Sequence, residues 1–185
     1  MKTVIRCPWV TEDKIYINYH DEEWGVPIYD DTKLFECLTL ESAQAGLSWI
    51  TVLKKRGHYR KVYDGFDPKK VASYDDQKIE ALMQDTGIIR NRLKICASIN
   101  NAKKILEIQQ EFGSFSSYLW GFVGRKPIRS QFESLGDYPS KSNLSDLVSK
   151  DLKDKGFKFI GSTIIYAFMQ AVGILNDHTI SCFRV

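Results

Sequence analysis

The chain has no long apolar run and little cysteine, and each shortage excludes a class of protein. No stretch reaches the roughly 18 apolar residues that a membrane-spanning helix needs, so we expect no membrane association. Four cysteines in 185 residues are too few for a disulfide-rich secreted scaffold, and two of them, Cys37 and Cys96, lie in apolar helical patterns that predict core positions. Residues 1–6 have neither the apolar segment nor the cleavage site of a signal peptide, so we expect a cytoplasmic protein.

The chain also lacks a large excess of one sign of charge, and it has few segments in which apolar and polar residues alternate as in a β-strand. The net charge of +3 permits nucleic-acid binding without arguing for it. Basic residues cluster at Lys54–Arg56, Arg90–Lys94 and Lys150–Lys158, although a solvated surface is the ordinary role of any one cluster. Because alternating runs are rare, the sequence predicts an all-α fold in a single unit of 185 residues.

Capping residues and helical periodicity predict where the helices lie. A long helix is expected from Lys33 to Lys55 behind the cap at Asp30-Asp31-Thr32, and residues 124–143 are expected to form a loop. The other predicted helices are Asp67–Tyr74, Asp75–Gln84, Ile89–Phe112 with Gly113 as its stop, Ser114–Val123, about 144–154, and about 161–174.

Two Cys/His pairs, one near each end of the chain, are candidate metal ligands. Cys7 and His20 form the first pair, and His178 and Cys182, four residues apart, form the second. That spacing predicts two side chains on one face of a helix. Two thiolates and two imidazoles would complete a tetrahedral zinc site. Since single cysteines and histidines are more often core residues, the spacing alone leaves both interpretations open.

Glu41 lies on the apolar stripe of the long predicted helix, between Leu38 and Ala45. A carboxylate at such a position either pairs with a buried partner or faces a pocket. Trp49 lies two turns further along the same stripe, and Gly46 between them permits a close approach to the backbone.

Four large aromatic residues lie among the N-terminal metal-ligand candidates: Trp9, Tyr16, Tyr19 and Trp24. Core packing is the usual role of such residues. They could also line a slot for a flat π-system, because proteins hold an extruded nucleobase by stacking it on aromatic faces.

The turn at residues 85–92 is a candidate helix–hairpin–helix motif. Exposed backbone N–H groups at the start of the second helix would suit a phosphate, with Arg90, Arg92 and Lys94 close by. A glycine between two helices, such as Gly87, is more often only a C-cap, so the turn alone leaves both interpretations open.

Taken together, these stretches resemble the bacterial 3-methyladenine DNA glycosylase I family. The resemblance runs from Cys7 to Cys182 and is carried by residues 19–27 (YHDEEWGVP), 44–56 (QAGLSWITVLKKR), 87–90 (GIIR), 156–161 (GFKFIG) and 176–178 (NDH). It implies an all-α helix–hairpin–helix glycosylase fold whose N- and C-termini are joined by a structural zinc. The implied lobes are a hairpin lobe at about 64–123 and a terminal lobe at about 1–60 and 144–185.

The resemblance also implies a role for individual residues. One structural zinc per chain would be held by Cys7, His20, His178 and Cys182. The base-binding pocket would comprise Trp9, Tyr16, Tyr19, Trp24, Glu41 and Trp49, with Glu41 as the catalytic residue. DNA contacts would come from Gly46, Leu47, Gly87, Ile88, Ile89, Arg90 and Arg92, and Leu47 would fill the gap that a flipped nucleotide leaves.

The implied function is base-excision repair by a monofunctional enzyme. It would hydrolyse the N-glycosidic bond of 3-methyladenine in double-stranded alkylated DNA, release the free base and leave an abasic site, and it would act as a monomer. Two points depart from expectation: only three residues follow Cys182, and no aspartate lies between Asp85 and Asp137, where related hairpin glycosylases often place a catalytic one.

Two other classes of protein remain as alternatives. A catalytic zinc hydrolase would have three protein ligands and an open position, whereas this chain offers four ligands. A zinc-stabilised DNA-binding module without catalysis would leave Glu41 and Trp49 without a purpose on an apolar stripe.

Overall fold

The computed structural model describes residues 4–185, and this part of the chain is mostly helical. Its nine α-helices are α1 Lys14–Glu22, α2 Asp31–Gln44, α3 Trp49–Val62, α4 Pro68–Ala72, α5 Asp76–Gln84, α6 Arg92–Phe112, α7 Phe115–Gly121, α8 Asn143–Asp154 and α9 Ser162–Ala171. Short 3-10 turns lie at Asp64–Phe66 and Leu135–Asp137. The predicted all-α class is correct except for one small parallel pair, β1 Ile128–Arg129 and β2 Leu175–Asn176.

Polar caps set most of the helix ends. The side chains of Asp30, Asp75, Asn91 and Ser114 each accept a hydrogen bond from a backbone N–H in the first turn of α2, α5, α6 and α7 respectively. Gly113 ends α6 with a φ of 83°, a left-handed conformation that favours glycine. Helix α6 begins at Arg92, three residues later than predicted, because Asn91 rather than a residue near Ile89 provides its cap.

The single helix predicted from Lys33 to Lys55 is wrong. The chain breaks after α2, where Gly46 has a φ of +80°, and helix α3 starts at Trp49 with Ser48 as its cap. Lys94 of α6 stabilises the break, because its Nζ donates to the carbonyl oxygens of Ala43 at 2.8 Å and Ala45 at 2.6 Å. Glu41 and Trp49 therefore lie on two helices that meet at a corner.

Two apolar clusters form the core. The larger one joins the inner faces of α2, α6, α7, α8 and α9 with α4, and it contains completely buried side chains such as Phe35, Ile105 and Phe168. The smaller one gathers Cys7, Tyr19, Trp24, Leu53 and Cys182. It thereby brings both ends of the described chain against α1 and α3. Within residues 4–185, no helix combines the length and the apolarity needed to cross a bilayer.

Candidate functional site

A cavity of about 300 Å³ opens where α1, α2, α3 and α9 meet. The six residues that the resemblance places in a base pocket all line it: Trp9, Tyr16, Tyr19, Trp24, Glu41 and Trp49. Five further residues complete the lining: Gln44, Leu135, Tyr138, Ala167 and Gln170. A space of this size, with aromatic walls and few polar groups, suits a small flat molecule.

Glu41 is buried in this lining without a counter-charge. Its residue surface is 4% exposed, and it forms neither a hydrogen bond nor an ion pair with any residue in the described range 4–185. Burial raises the pKa of its carboxyl group to about 8. Of the two alternatives, pairing with a buried partner is thus wrong, and the carboxyl group faces a pocket.

The aromatic residues form a continuous wall. The ring of Trp9 meets Tyr16 edge-on at 5.6 Å and Trp24 edge-on at 4.9 Å, and Tyr19 lies 5.4 Å from Trp49. The indole N–H groups of Trp9 and Trp49 are buried and have no acceptor within the described residues. Edge-on packing fixes the wall before a ligand arrives.

The four candidate metal ligands converge behind this wall. Cys7, His20, His178 and Cys182 are all buried, and their ligand atoms lie within 4.8 Å of one another. Cys7 Sγ lies 3.4 Å from His178 Nδ1, and Cys182 Sγ lies 3.4 Å from His20 Nε2. A tetrahedral zinc with bonds of about 2.3 Å to sulfur and about 2.0 Å to nitrogen sets these pairs about 3.5 Å apart, so the cluster fits the ion.

The outer nitrogens of both imidazole rings are also fixed. His20 Nδ1 lies 2.8 Å from Asp21 Oδ1, and His178 Nε2 lies 3.1 Å from the backbone oxygen of Trp24. Because a carboxylate or a carbonyl accepts a hydrogen bond, each outer nitrogen carries the proton. The inner nitrogens, His20 Nε2 and His178 Nδ1, then carry the lone pairs that a metal would take, and the Cys7 backbone N–H already contacts His20 Nε2 at 3.3 Å.

The two thiols differ electrostatically. Burial alone would raise the pKa of Cys7, but contacts with the rings of His178 and His20 outweigh burial and bring it below its usual value. Burial raises the pKa of Cys182. A thiolate at Cys7 matches the chemistry of a metal ligand.

The helical interpretation of the C-terminal pair is wrong. His178 and Cys182 are four residues apart, but they lie in a turn closed by a hydrogen bond from the Cys182 N–H to the Thr179 oxygen at 2.8 Å. The segment is held by long-range bonds instead, including one from the Ile180 N–H to the Phe132 oxygen at 2.9 Å. The two candidate ligands converge because the loop folds around them.

The turn between α5 and α6 forms a compact hairpin. Its central amides are already bonded within the protein: Gly87 N–H donates to Asp85 Oδ1 at 2.7 Å, and Ile89 N–H donates to the Tyr59 hydroxyl at 3.0 Å. Ile88 N–H points to the Asp85 carbonyl oxygen at 3.4 Å. These three amides are therefore satisfied within the protein, and the N–H groups expected to suit a phosphate lie further on, at the start of α6.

Other groups at the hairpin remain available. Among residues 4–185, no acceptor contacts the backbone amides of Arg90, Arg92 or Leu93 at the start of α6, and the side chain of Arg90 is exposed and forms no ion pair. The guanidinium of Arg92 pairs with Glu80. Lys94 is not a candidate for phosphate, because it is bonded to the carbonyl oxygens at the end of α2.

Leu47 lies at the rim of a shallow groove next to the cavity. Its side chain is 41% exposed, and the groove shares Glu41, Gln44 and Ala167 with the cavity. The exposure excludes a core role for Leu47. Gly46 lies beside it in the left-handed conformation, so this corner between α2 and α3 presents an apolar side chain at the cavity mouth.

Comparison with known proteins relates this geometry to a family. A family model described as methyladenine glycosylase matches residues 9–185. DNA-3-methyladenine glycosylase 1 of Escherichia coli (strain K12) is 51% identical over 177 residues, which cover 96% of this chain and 95% of that protein. The chain belongs to the methyladenine glycosylase family.

Solved structures of 3-methyladenine DNA glycosylase I share the fold. One crystal structure superimposes with a TM-score of 0.94 at 51% identity, covering 97% of this chain and 98% of that one. Another, from Staphylococcus aureus, described as showing the basis of 3-methyladenine recognition, superimposes with a TM-score of 0.93 at 42% identity and covers 96% of this chain and 95% of that one. The mostly helical fold is thus that of the glycosylase family.

The sequence analysis did not predict every residue that lines the cavity. Tyr138 and Leu135 come from the segment expected to be only a loop, and Gln170 comes from the C-terminal end of α9. The one available signal was Gln170 itself, a polar residue among the apolar residues of the second half of α9. The predicted core position of Cys96 is also wrong, because Cys96 is exposed. Cys37 is half-buried.

Proposed function

We propose that this chain is a DNA base-excision repair enzyme that hydrolyses the N-glycosidic bond of 3-methyladenine in alkylated DNA. The enzyme releases the free base and leaves an abasic site. The observation that carries the proposal is the buried, unpaired Glu41 in an aromatic cavity, in a chain that belongs to the methyladenine glycosylase family over residues 9–185. The E. coli relative bears the same activity in its name.

The chemistry of the lesion explains the shape of the site. An adenine alkylated at N3 carries a positive charge, which weakens its glycosidic bond, and the base leaves as a neutral species. Catalysis therefore needs less help than with an undamaged purine, and the main task of the site is selection. The rings around the cavity favour the cation by about 0.5–2 kcal/mol each through cation–π contact.

Glu41 supplies the charge that the aromatic rings lack. Burial raises the pKa of its carboxyl group to about 8 and so favours the protonated form. A cationic base in the same cavity restores the ionised form, which then accepts a hydrogen bond from the amino group of the base. Binding of the lesion and ionisation of Glu41 thus favour each other.

Departure of the base needs no aspartate after the hairpin. Of residues 4–185, Glu41 supplies the one carboxyl group in the cavity lining. Water attacks C1′ of an oxocarbenium-like sugar, whose charge the neighbouring DNA phosphates help to stabilise. The carboxylate of Glu41 acts on the base rather than on the leaving-group proton, in keeping with a base that leaves as a neutral molecule.

The hairpin and the corner at Leu47 bind the DNA duplex. We assign a phosphate contact to the free amides at the start of α6 together with the exposed Arg90, and we retain Gly87, Ile88 and Ile89 as the structural frame of that helix–hairpin–helix contact. Leu47 enters the space that the extruded nucleotide leaves in the stack. Both contacts are independent of base sequence.

The cluster of Cys7, His20, His178 and Cys182 holds one structural zinc. Its support is the fit of the donor atoms to a tetrahedron and the fixed outer nitrogens of both rings. The ion, when bound, supplies a cross-link between the two ends of the chain.

The protein works as a monomer whose single unit comprises two lobes. Because chromosomal DNA is its substrate, we place it in the bacterial cytoplasm.

Release of free base from methylated duplex DNA tests the function. The purified protein should release 3-methyladenine, detected by chromatography of the soluble fraction, and should leave alkali-labile abasic sites in equal number. Glu41→Gln should bind the same duplex but release the base roughly 10–100-fold more slowly, since it loses a charged hydrogen bond. DNA binding without base release by the wild-type protein would support the non-catalytic module instead.

A further inference from the structure

Gln170 lines the cavity from α9, and a buried carboxylate fixes the direction of its amide group. Asp177 is completely buried, and its carboxylate accepts three hydrogen bonds: from Ser130 Oγ at 2.6 Å, from the Tyr166 hydroxyl at 2.5 Å and from Gln170 Nε2 at 2.8 Å. Asp177 Oδ2 contacts both the Tyr166 hydroxyl and the Gln170 amide, and a carboxylate oxygen is an acceptor. The NH₂ end of Gln170 must therefore face Asp177.

The other end of the amide is left without a protein partner. Within residues 4–185, Gln170 Oε1 receives no hydrogen bond, and the half-buried side chain of Gln170 lines the cavity. Gln44, the other glutamine of the cavity, has no partner in the described chain and can present either end. Gln170 thus differs from Gln44 in offering a fixed acceptor.

An acceptor can discriminate between purines at position 6. A 6-amino purine presents two N–H hydrogens there, and an N3-alkylated adenine has no other N–H donor on its rings. One of the two hydrogens suffices for Glu41. A 6-oxo purine presents an acceptor at the same place, and two facing acceptors repel each other while both lose their water.

On the basis of the proposed function, we propose that Gln170 is a specificity residue that selects N3-alkylated 6-amino purines against their 6-oxo counterparts. Its Oε1 accepts the second hydrogen of the exocyclic amine. Asp177 is the positioning residue that keeps this oxygen, rather than the NH₂ group, directed at the cavity. The discrimination comes from the helix α9 side of the cavity and adds to that of Glu41.

Rates of release of two lesions test the proposal. Duplexes that carry 3-methyladenine or 3-methylguanine in one sequence context would be compared for the wild-type protein, Gln170→Met and Asp177→Asn. Gln170→Met has nearly the same shape but no acceptor, so the ratio of the two kcat/KM values should fall at least about tenfold. Asp177→Asn lets the Gln170 amide turn over, so it should lower the ratio by raising the rate on 3-methylguanine.

Gln44→Met is the matched control, because it removes an amide from the same cavity and should leave the ratio unchanged. Melting temperature and metal content of each variant show whether it is folded. Equal falls on both lesions in Gln170→Met would overturn the proposal, because packing or positioning of the attacking water affects both rates alike. Release of neither base by the wild-type protein would instead refute the proposed function.

Discussion

At the scale of single residues, Glu41 couples the function of the site to the stability of the fold. Its carboxyl group is buried against aromatic rings, and its pKa in the folded protein is raised to about 8. Between about pH 4.5 and pH 8 the folded chain keeps a proton that the unfolded chain has released. Stability therefore falls as the pH rises through this window, and it is fully retained only below it.

Glu41→Gln should remove this pH dependence. Glutamine does not ionise, so the variant should match the wild-type protein near pH 4.5 and become the more stable of the two by up to about 1.4 kcal/mol per pH unit toward pH 8. Urea unfolding at pH 5, 6.5 and 8 measures the difference. The exposed Glu12→Gln is the control and should show no trend; parallel curves for Glu41→Gln and the wild type would contradict the buried, unpaired carboxyl group.

Leu47 is the second residue whose role can be isolated. Since it is 41% exposed at the cavity mouth, truncation removes little core packing. Leu47→Ala should weaken binding to a duplex with an abasic-site analogue roughly tenfold, or about 1.4 kcal/mol, and should change binding to an intact duplex little. Leu147→Ala removes a leucine from α8 that is 54% exposed, as a control. A uniform loss on both duplexes would argue against a wedge.

Residue chemistry explains which part of the cavity was predictable. Glu41 was found because a carboxylate on an apolar stripe is unusual, and the tryptophans and tyrosines because large rings near metal ligands are conspicuous. Ala167 and Leu135 are ordinary residues that line the cavity only because of where α9 and the 3-10 turn pack. No local pattern distinguishes such positions from the core.

At the scale of elements, caps were predictable and breaks were not. Asp75 and Ser114 begin helices and Gly113 ends one as expected, because each acts on the adjacent backbone. The break at Gly46 depends on Lys94, which lies 48 positions away in the sequence and bonds to the oxygens of Ala43 and Ala45. Helical periodicity continues across the break, so the pattern alone predicts one helix.

The hairpin gives a prediction at this scale. Arg90 is exposed beside the free amides of α6, whereas Arg92 is paired with Glu80. Arg90→Ala should weaken duplex binding to a similar degree in every sequence context and reduce the slope of log K against log[salt] by about 0.9. Lys103→Ala removes the same charge from an exposed position in the middle of α6 and should leave that slope nearly unchanged.

Fluorescence anisotropy titrations at several salt concentrations measure both slopes. An effect of Arg90→Ala confined to one sequence would mean that the side chain reads bases. Equal effects of Arg90→Ala and Lys103→Ala would mean that the hairpin contributes only to the overall charge of the surface.

At the scale of the whole molecule, the ends of the chain support the cavity. Among the ligand candidates, the ring of His20 packs edge-on against Trp9 at 5.3 Å, and the ring of His178 packs edge-on against Trp24 at 4.7 Å. Neither histidine lines the cavity, yet both rings support residues that do. A cross-link between the termini, as proposed, would therefore keep the aromatic wall in place, which no local sequence pattern could have indicated.

Replacement of one candidate metal ligand should show whether the cross-link supports the aromatic wall. Cys182→Ser should lose its zinc, measured by atomic absorption, and its melting temperature should fall by roughly 10 °C or more, given about 2–4 °C per kcal/mol for a chain of this size. Binding of free 3-methyladenine, followed by tryptophan fluorescence, should weaken in parallel, because Trp9 and Trp24 lose their backing. Cys96→Ser, at an exposed position outside the cluster, should change none of the three.

Chelation should bring the wild-type protein to the level of Cys182→Ser, and added zinc should restore only the wild type. Full zinc occupancy with unchanged melting in Cys182→Ser would exclude Cys182 as a ligand, and normal base binding by a zinc-free protein would show that the wall stands without the cross-link.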